Sequence, residues 1–381
     1  MNQITDNSFE LSMRQNQNQL ECKLTKTPCI SMTVASKEFF LEQKTLSSII
    51  DSYSTVAKLV GKKKTRNIDF FEALSILGAE IGFGIANIFE HFGLMYTKRR
   101  INLTLKLDDW TRRIPWELAM VPDYPEQLLC ERFNIGRAMD VECKNQWETA
   151  PNTKTSKRSL KSLVVGLNYT KNSIYTPLDR SEEDAKAVHE YLTKFSKSKN
   201  GRDLEVLPKL IGGNARKETL EKRLKEGITM FHFSGHGELY RNIGKIILAN
   251  DKQLTTKELS CIFYNNQTRA PTFSFMNACE TCLQKNGESD IHDWALAMAT
   301  YGARALIGTF WSVMDEDATD FSLAFYRYFL KEGKTIGDSV RRARLFVKDK
   351  KTEGNDLDPM VTWSAFVLYG PPMLKARDIL V

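Results

Sequence analysis

From about residue 160 onward the chain alternates short apolar runs with amphipathic segments, and that alternation restricts the fold more than any other feature. Leu160 to Leu167, Leu204 to Lys209, Ile228 to Phe233, Thr272 to Met276, Arg304 to Phe310 and Ser364 to Tyr369 read as strands, with a shorter one over Ile246 to Ala249. Between them lie helix patterns. Ser181 to Phe195 places Ala185, Val188, Tyr191 and Leu192 on one face, and Asn214 can cap a helix ending before Gly227. Thr255 and Glu258 form a capping box for a helix through Phe263. Further helices are expected over 293–301, stopped by Gly302, and over 317–331 and 337–350. Strands separated by helices pair in parallel, and the nearly unbroken apolar character of Ile228 to Phe233 suits a strand covered on both faces. The expectation is an α/β fold: a mostly parallel sheet flanked by helices on both sides.

The first 150 residues lack this rhythm. Residues 1 to about 30 are rich in Asn and Gln and read as a loosely docked arm. A helix is expected over 37–58, and Asn67 can cap a long helix over 68–95, whose Phe70, Phe71, Leu74, Leu77, Ile81, Ile85, Ile88, Phe89 and Phe92 recur at helical spacing. Ile101 to Leu107 alternates as a half-buried strand does, Pro115 suits a first helical turn, and 128–139 looks like another strand region. The polar, basic stretch 141–158 marks the best boundary in a chain of 381 residues. It divides an α+β accessory region, 1–150, from a second domain, 159–381.

Composition narrows the function classes. The chain is 42% hydrophobic and 27% charged, with no apolar run of the roughly 18 residues a span needs and no secretory signal in Met1 to Glu21, so a cytoplasmic globular protein is expected. Seven scattered cysteines argue for reduced thiols. Cys279 and Cys282 have C-x-x-C spacing, but no second such pair completes a metal site, and neither metal nor organic cofactor is expected. The net charge of +7 gathers partly in solvated-looking runs without interleaved aromatics, which makes nucleic-acid binding the weakest of the readings.

Two stretches carry chemistry: Phe231-His232-Phe233-Ser234-Gly235-His236-Gly237 and Phe273-Ser274-Phe275-Met276-Asn277-Ala278-Cys279-Glu280-Thr281. Each is an apolar run ending on a reactive side chain. Ligands and catalytic groups collect at the carboxyl ends of parallel strands, so His236 and Cys279 are candidates for a Cys-His dyad. Glycines on both sides of His236 would leave the imidazole uncovered and let the backbone turn sharply, whereas His232, inside the strand, reads as structural. Cys22, Cys130 and Cys261 fit the role of small buried hydrophobes better than Cys279 does.

These motifs, with Tyr301 to Trp311, Phe325-Tyr326, Ser339 to Ala343 and Trp363 to Gly370, resemble the CHAT domain, a caspase-like cysteine peptidase family related to separase and caspases. The similarity covers about 160–373, and even Ile114 to Leu118 and Arg132 to Arg137 look like the pseudo-caspase-like region that often precedes it. The resemblance implies a cysteine endopeptidase with Cys279 as nucleophile and His236 as the base. It also implies an oxyanion site formed by the backbone N–H groups of Gly237 and Cys279. Two departures stand out: Cys282 where a glycine is common, and a longer acidic run at Asp315 to Asp317. Asp315 and Asp317 could border a substrate pocket that favours Lys or Arg, or simply open a helix. The implied partners are a protein substrate, such as a co-encoded gasdermin or other bacterial defence protein, and a separate activator or sensor. The rival from another class is a non-catalytic scaffold that keeps the fold for interaction.

Overall fold

The computed structural model describes residues 8–16, 19–27, 43–60, 67–91, 100–121, 124–139, 160–169, 173–178, 180–240, 243–279, 290–311, 313, 315–350 and 360–380. The chain opens with a hairpin, β1 (Ser8–Asn16) and β2 (Gln19–Thr27), paired antiparallel from Ser8 opposite Thr27. This corrects the expectation of a loose arm. Leu11 with Met13, and Leu20 with Cys22, alternate at period two and are buried, a signal that the surrounding Asn and Gln obscure. Helices α1 (Gln43–Val60) and α2 (Asn67–His91) pack on each other, and α2 buries Phe70, Leu74, Leu77, Ile81, Ile85 and Phe89, whereas Phe71, one step round the helix from Phe70, is exposed, and Phe92 lies outside the described residues. Among the described residues no helix is long and apolar enough to cross a membrane.

Strand β3 (Asn102–Leu107) lies parallel to β1. Pro115 precedes not an α-helix but one 3-10 turn, Trp116–Leu118, all three residues of which are buried. A short hairpin follows, β4 (Met120–Val121) with β5 (Tyr124–Leu128), then a single helical turn α3 (Leu129–Arg132) and β6 (Asn134–Arg137), parallel to β3. The expected strand region 128–139 is therefore half helix turn, half strand. Glu131 explains the turn, since its carboxylate accepts the Leu128 N–H at 2.8 Å and so satisfies an end donor. The boundary stretch 141–158 lies outside the described residues.

The alternating half folds in the order expected. β7 (Leu160–Gly166), α4 (Ser181–Ser196), β8 (Leu204–Val206), β9 (Leu210–Ile211), α5 (Lys217–Lys225) and β10 (Met230–Tyr240) lead to β11 (Ile243–Ile247) and β12 (Gln253–Thr255). α6 (Thr256–Asn266) carries the anticipated capping box, with Glu258 N–H on the Thr255 hydroxyl and Thr255 N–H on the Glu258 carboxylate. By contrast Asn214 closes a short 3-10 turn, and α5 begins after Arg216 without a side-chain cap. Then come β13 (Phe273–Cys279), α7 (Asp290–Thr300), β14 (Ala305–Thr309), α8 (Asp315–Tyr326), α9 (Ile336–Asp349), α10 (Met360–Trp363), β15 (Phe366–Tyr369) and α11 (Ala376–Ile379). The single helix expected over 317–331 is α8 followed by a π turn, Arg327–Lys331.

Thirteen of these strands form one mixed, mostly parallel sheet in the order β12-β11-β10-β13-β14-β15-β6-β3-β1-β2, with β7 beside β10 and with β8 and β9 on β7. The N-terminal strands thus extend the same sheet, and they join it through β15. Tyr369 stands opposite Arg137, and the Gly370 N–H donates to the Arg137 carbonyl at 2.7 Å.

Arg137 is the polar centre of that seam. Its guanidinium is buried, donates to both oxygens of Glu117 at 2.7 Å, and donates to the carbonyls of Arg112 at 2.7 Å and Ile114 at 2.8 Å. It lies over the Phe310 and Tyr369 rings, with 5.0 and 5.9 Å to their centroids. A bidentate pair reinforced by two further carbonyl acceptors withstands desolvation, but removing one partner strands a charge. Glu117→Ala is expected to lower unfolding stability by about 3–5 kcal/mol, read from the urea midpoint. Arg180→Ala, which breaks the exposed pair with Glu316, should cost under about 1 kcal/mol.

Candidate functional site

The site is set by the register of two adjacent parallel strands. His232 stands opposite Phe275, Ser234 opposite Asn277, and His236 opposite Cys279. Neighbouring strands lie about 4.8 Å apart, so the last residue of β13 and His236 of β10 are immediate neighbours at the carboxyl end of β13. The end of β13 is tied on its other side, where the buried Thr309 hydroxyl donates to the Ala278 carbonyl at 3.2 Å.

Glycine was expected to turn the chain at His236, and it does not. β10 continues to Tyr240, and neither Gly235 nor Gly237 has a positive φ. What changes is the neighbour. β7 accompanies β10 as far as Ser234, and β11 takes over antiparallel from Gly237, which is buried opposite Ile246. In the gap Tyr169 replaces a strand: its hydroxyl accepts the His236 N–H at 2.9 Å and donates to the Ile247 carbonyl at 2.9 Å. Gly235 is required by this plug, since a Cβ there would lie 3.0 Å from the Tyr169 hydroxyl and 2.9 Å from the Phe233 ring.

The imidazole of His236 lies against Tyr169, centroids 4.5 Å apart, with Tyr175 at 5.7 Å. Its Nε2 is 2.7 Å from the Thr176 carbonyl oxygen. A carbonyl can only accept, so Nε2 carries the proton and, in a neutral ring, Nδ1 is left as the free base. Sequence reading named no group to orient His236. Thr176 acts through its backbone, which no residue-type signal reveals, and Tyr169 stands in a connection with no recognisable motif.

Four residues before His236 on the same strand, His232 is buried as the strand position suggests. Its Nε2 is 3.0 Å from Asp184 Oδ2 and its Nδ1 is 3.3 Å from the Tyr326 hydroxyl, while the ring stacks on Phe275. Burial, with Asp184 nearby, raises the Tyr326 pKa well above its ordinary value, so the phenol keeps its proton and donates. Asn277 Nδ2 also reaches Asp184 Oδ2, at 3.4 Å. A buried polar cluster therefore braces both strands beneath their ends.

Asp317 is buried in the first turn of α8, and Asp315 opens that helix. Glu316, between them, is exposed and pairs with Arg180 at 3.0 Å. Cys282 lies outside the described residues. Cys22 and Cys130 are buried, with both thiol pKa values pushed up to about 12 primarily by desolvation. Cys261, which was also expected to be buried, is exposed on α6. At pH 8 a thiol of pKa about 12 is roughly 0.01% thiolate. Brief iodoacetamide treatment of the folded protein should therefore alkylate Cys261 and spare Cys22 and Cys130, as peptide mapping would show.

A family model described as CHAT domain matches residues 89–371, well over half of the chain. No curated protein matches. Among solved structures, the chain is similar to the Arg-specific cysteine proteinase gingipain R, RgpB, with 14% identity and a TM-score of 0.51 over 79% of this chain and 69% of that one. A complex of the pro- and mature domains of RgpB from Porphyromonas gingivalis gives the same identity and score, 14% and 0.51, over 89% and 79%. The Saccharomyces cerevisiae separase–securin complex matches at 13% identity and TM-score 0.50, over 96% of this chain but 30% of that one. At these identities the likeness shows a shared fold, the mixed parallel sheet with helices on both faces.

Proposed function

The chain belongs to the CHAT domain family, and from that premise we propose that it is a caspase-like cysteine endopeptidase in which Cys279 is the nucleophile and His236 the base. The observation that carries this reading is the pairing of His236 with Cys279 across adjacent parallel strands, together with the Thr176 carbonyl on Nε2. With that nitrogen occupied, Nδ1 takes the thiol proton as the sulfur attacks the scissile carbonyl, and later returns it to the leaving amine. The thiolate forms an acyl-enzyme, and water completes hydrolysis. Backbone N–H groups of Gly237 and Cys279 are the proposed oxyanion donors; donors held rigidly on strands need no reorganisation as charge develops.

In this reading residues 159–381 carry the chemistry and the region up to 150 is the accessory half. A protein is the substrate. The similar solved structures include protein complexes, separase with securin and RgpB with its pro-domain, which supports a protein partner in control. A co-encoded gasdermin or other defence protein is the proposed target in the cytoplasm, with a separate activator or sensor. Asp315 and Asp317, on the helix turn that follows β14, would bias the residue before the cut toward Lys or Arg.

The test is cleavage of a co-expressed neighbouring gene product, with the new N-terminus sequenced. Cys279→Ala and His236→Ala should each lower cleavage by roughly 10²- to 10⁴-fold, while Cys282→Ala keeps it. Retention of cleavage in Cys279→Ala would sink the assignment. A wild-type protein that cleaves nothing, and whose Cys279 ignores electrophilic peptide probes, would leave the scaffold role.

A further inference from the structure

The contact between Thr176 and His236 is only as good as the segment that presents the carbonyl. Residues 173–176 form an open strap without helix or strand, and Ile174 and Thr176 are exposed. Tyr175 packs its ring against the core beside Tyr169, but Ile174 and Thr176 bury little, so the placement of the Thr176 carbonyl also draws on specific hydrogen bonds. Those bonds converge on one carboxylate. Asp251 Oδ1 accepts the Ser173 hydroxyl at 2.5 Å, and Oδ2 accepts the Ile174 N–H at 3.2 Å. The Ser173 hydroxyl in turn accepts the Tyr175 N–H at 3.0 Å, and the Tyr175 hydroxyl accepts from Gln253 Nε2 at 3.0 Å.

Asp251 sits in a turn built with unusual backbone angles. Asn250 and Asp251 have φ of 60° and 57°, a left-handed pair that side chains other than Asn and Asp tolerate poorly. The turn is pinned independently of the strap, by Leu248 N–H on the Lys252 carbonyl at 2.7 Å and Ala249 N–H on the Ala215 carbonyl at 3.0 Å. The carboxylate is thus fixed by the fold, and the strap is fixed by the carboxylate.

We propose that Asp251 is a positioning residue for His236: it holds the 173–176 strap so that the Thr176 carbonyl fixes Nε2 as the protonated nitrogen and leaves Nδ1 unprotonated in the neutral ring. The inference rests on the reading of His236 as the base of a peptidase. Asp251 touches neither the imidazole nor a reacting atom, and its effect passes through the strap alone.

The experiment uses the full chain. Histidine labelled with 13C and 15N reports the His236 tautomer by NMR, with the signal assigned by its loss in His236→Ala. Wild type should show the Nε2–H form in excess. Asp251→Ala should shift His236 toward a mixture, and Asp251→Asn should shift it less, since one carbonyl oxygen can still accept from Ser173 or Ile174 but not from both. Ser173→Ala breaks the same latch without touching the left-handed turn and should shift it in the same direction. In cleavage assays Asp251→Ala should lower kcat about 10- to 100-fold with KM changed less than about twofold. A His236 tautomer ratio unchanged in both Asp251→Ala and Ser173→Ala, with both variants folded by circular dichroism, overturns the proposal. A wild-type protein that cleaves no substrate would fail the peptidase reading alone, and the tautomer ratio would still decide the role of Asp251.

Discussion

The parallel pairing of β10 with β13 is the constraint on which the site depends. Because successive side chains alternate faces, a slip of one residue would move His236 to the opposite face from its present neighbours and bury the wrong half of each strand. The register is held by residues that precede His236 and Cys279 on the two strands. Phe231 and Phe233 on β10, and Phe273 and Phe275 on β13, are all buried. On the face that carries His232, the Asp184 carboxylate meets an imidazole from one strand and an amide from the other. Apolar packing alone would tolerate some sliding; a carboxylate shared between His232 and Asn277 does not, because a shifted register leaves buried polar atoms without partners.

The sequence made the alternating half legible because its signals are local. Apolar runs, the Thr255–Glu258 capping box and the stop at Gly302 each fall within a few residues, and each takes its expected place. The neighbours of His236 were illegible for the opposite reason. Tyr169 and Thr176 reach it from connections 67 and 60 residues away, one through a hydroxyl and the other through a backbone carbonyl. A carbonyl has no side-chain identity to read. The N-terminal hairpin was missed because Leu11, Met13, Leu20 and Cys22 are diluted by polar neighbours, and only its pairing with β3 gives those four a core to face.

The glycines around His236 show how a correct motif can carry a wrong local reason. A sharp turn was expected, yet the strand runs straight through. Gly235 is small so that a tyrosine can stand where the next strand would be, which keeps a buried N–H satisfied at the point where β10 changes partners. The motif marks a junction between two strands rather than a turn.

β15 gives the sheet a direction in time. It follows every other strand in sequence, yet it lies in the middle of the sheet, between β14 and β6. As the polypeptide leaves the ribosome, two separate blocks of strands can form, each with a raw edge awaiting the same four residues. Neither block completes the sheet by meeting the other, because the segment that zips them together is synthesised last. A nascent chain therefore cannot join the two blocks into one continuous sheet before β15 is made, and the long-range pairings that close it are of the slow-forming kind.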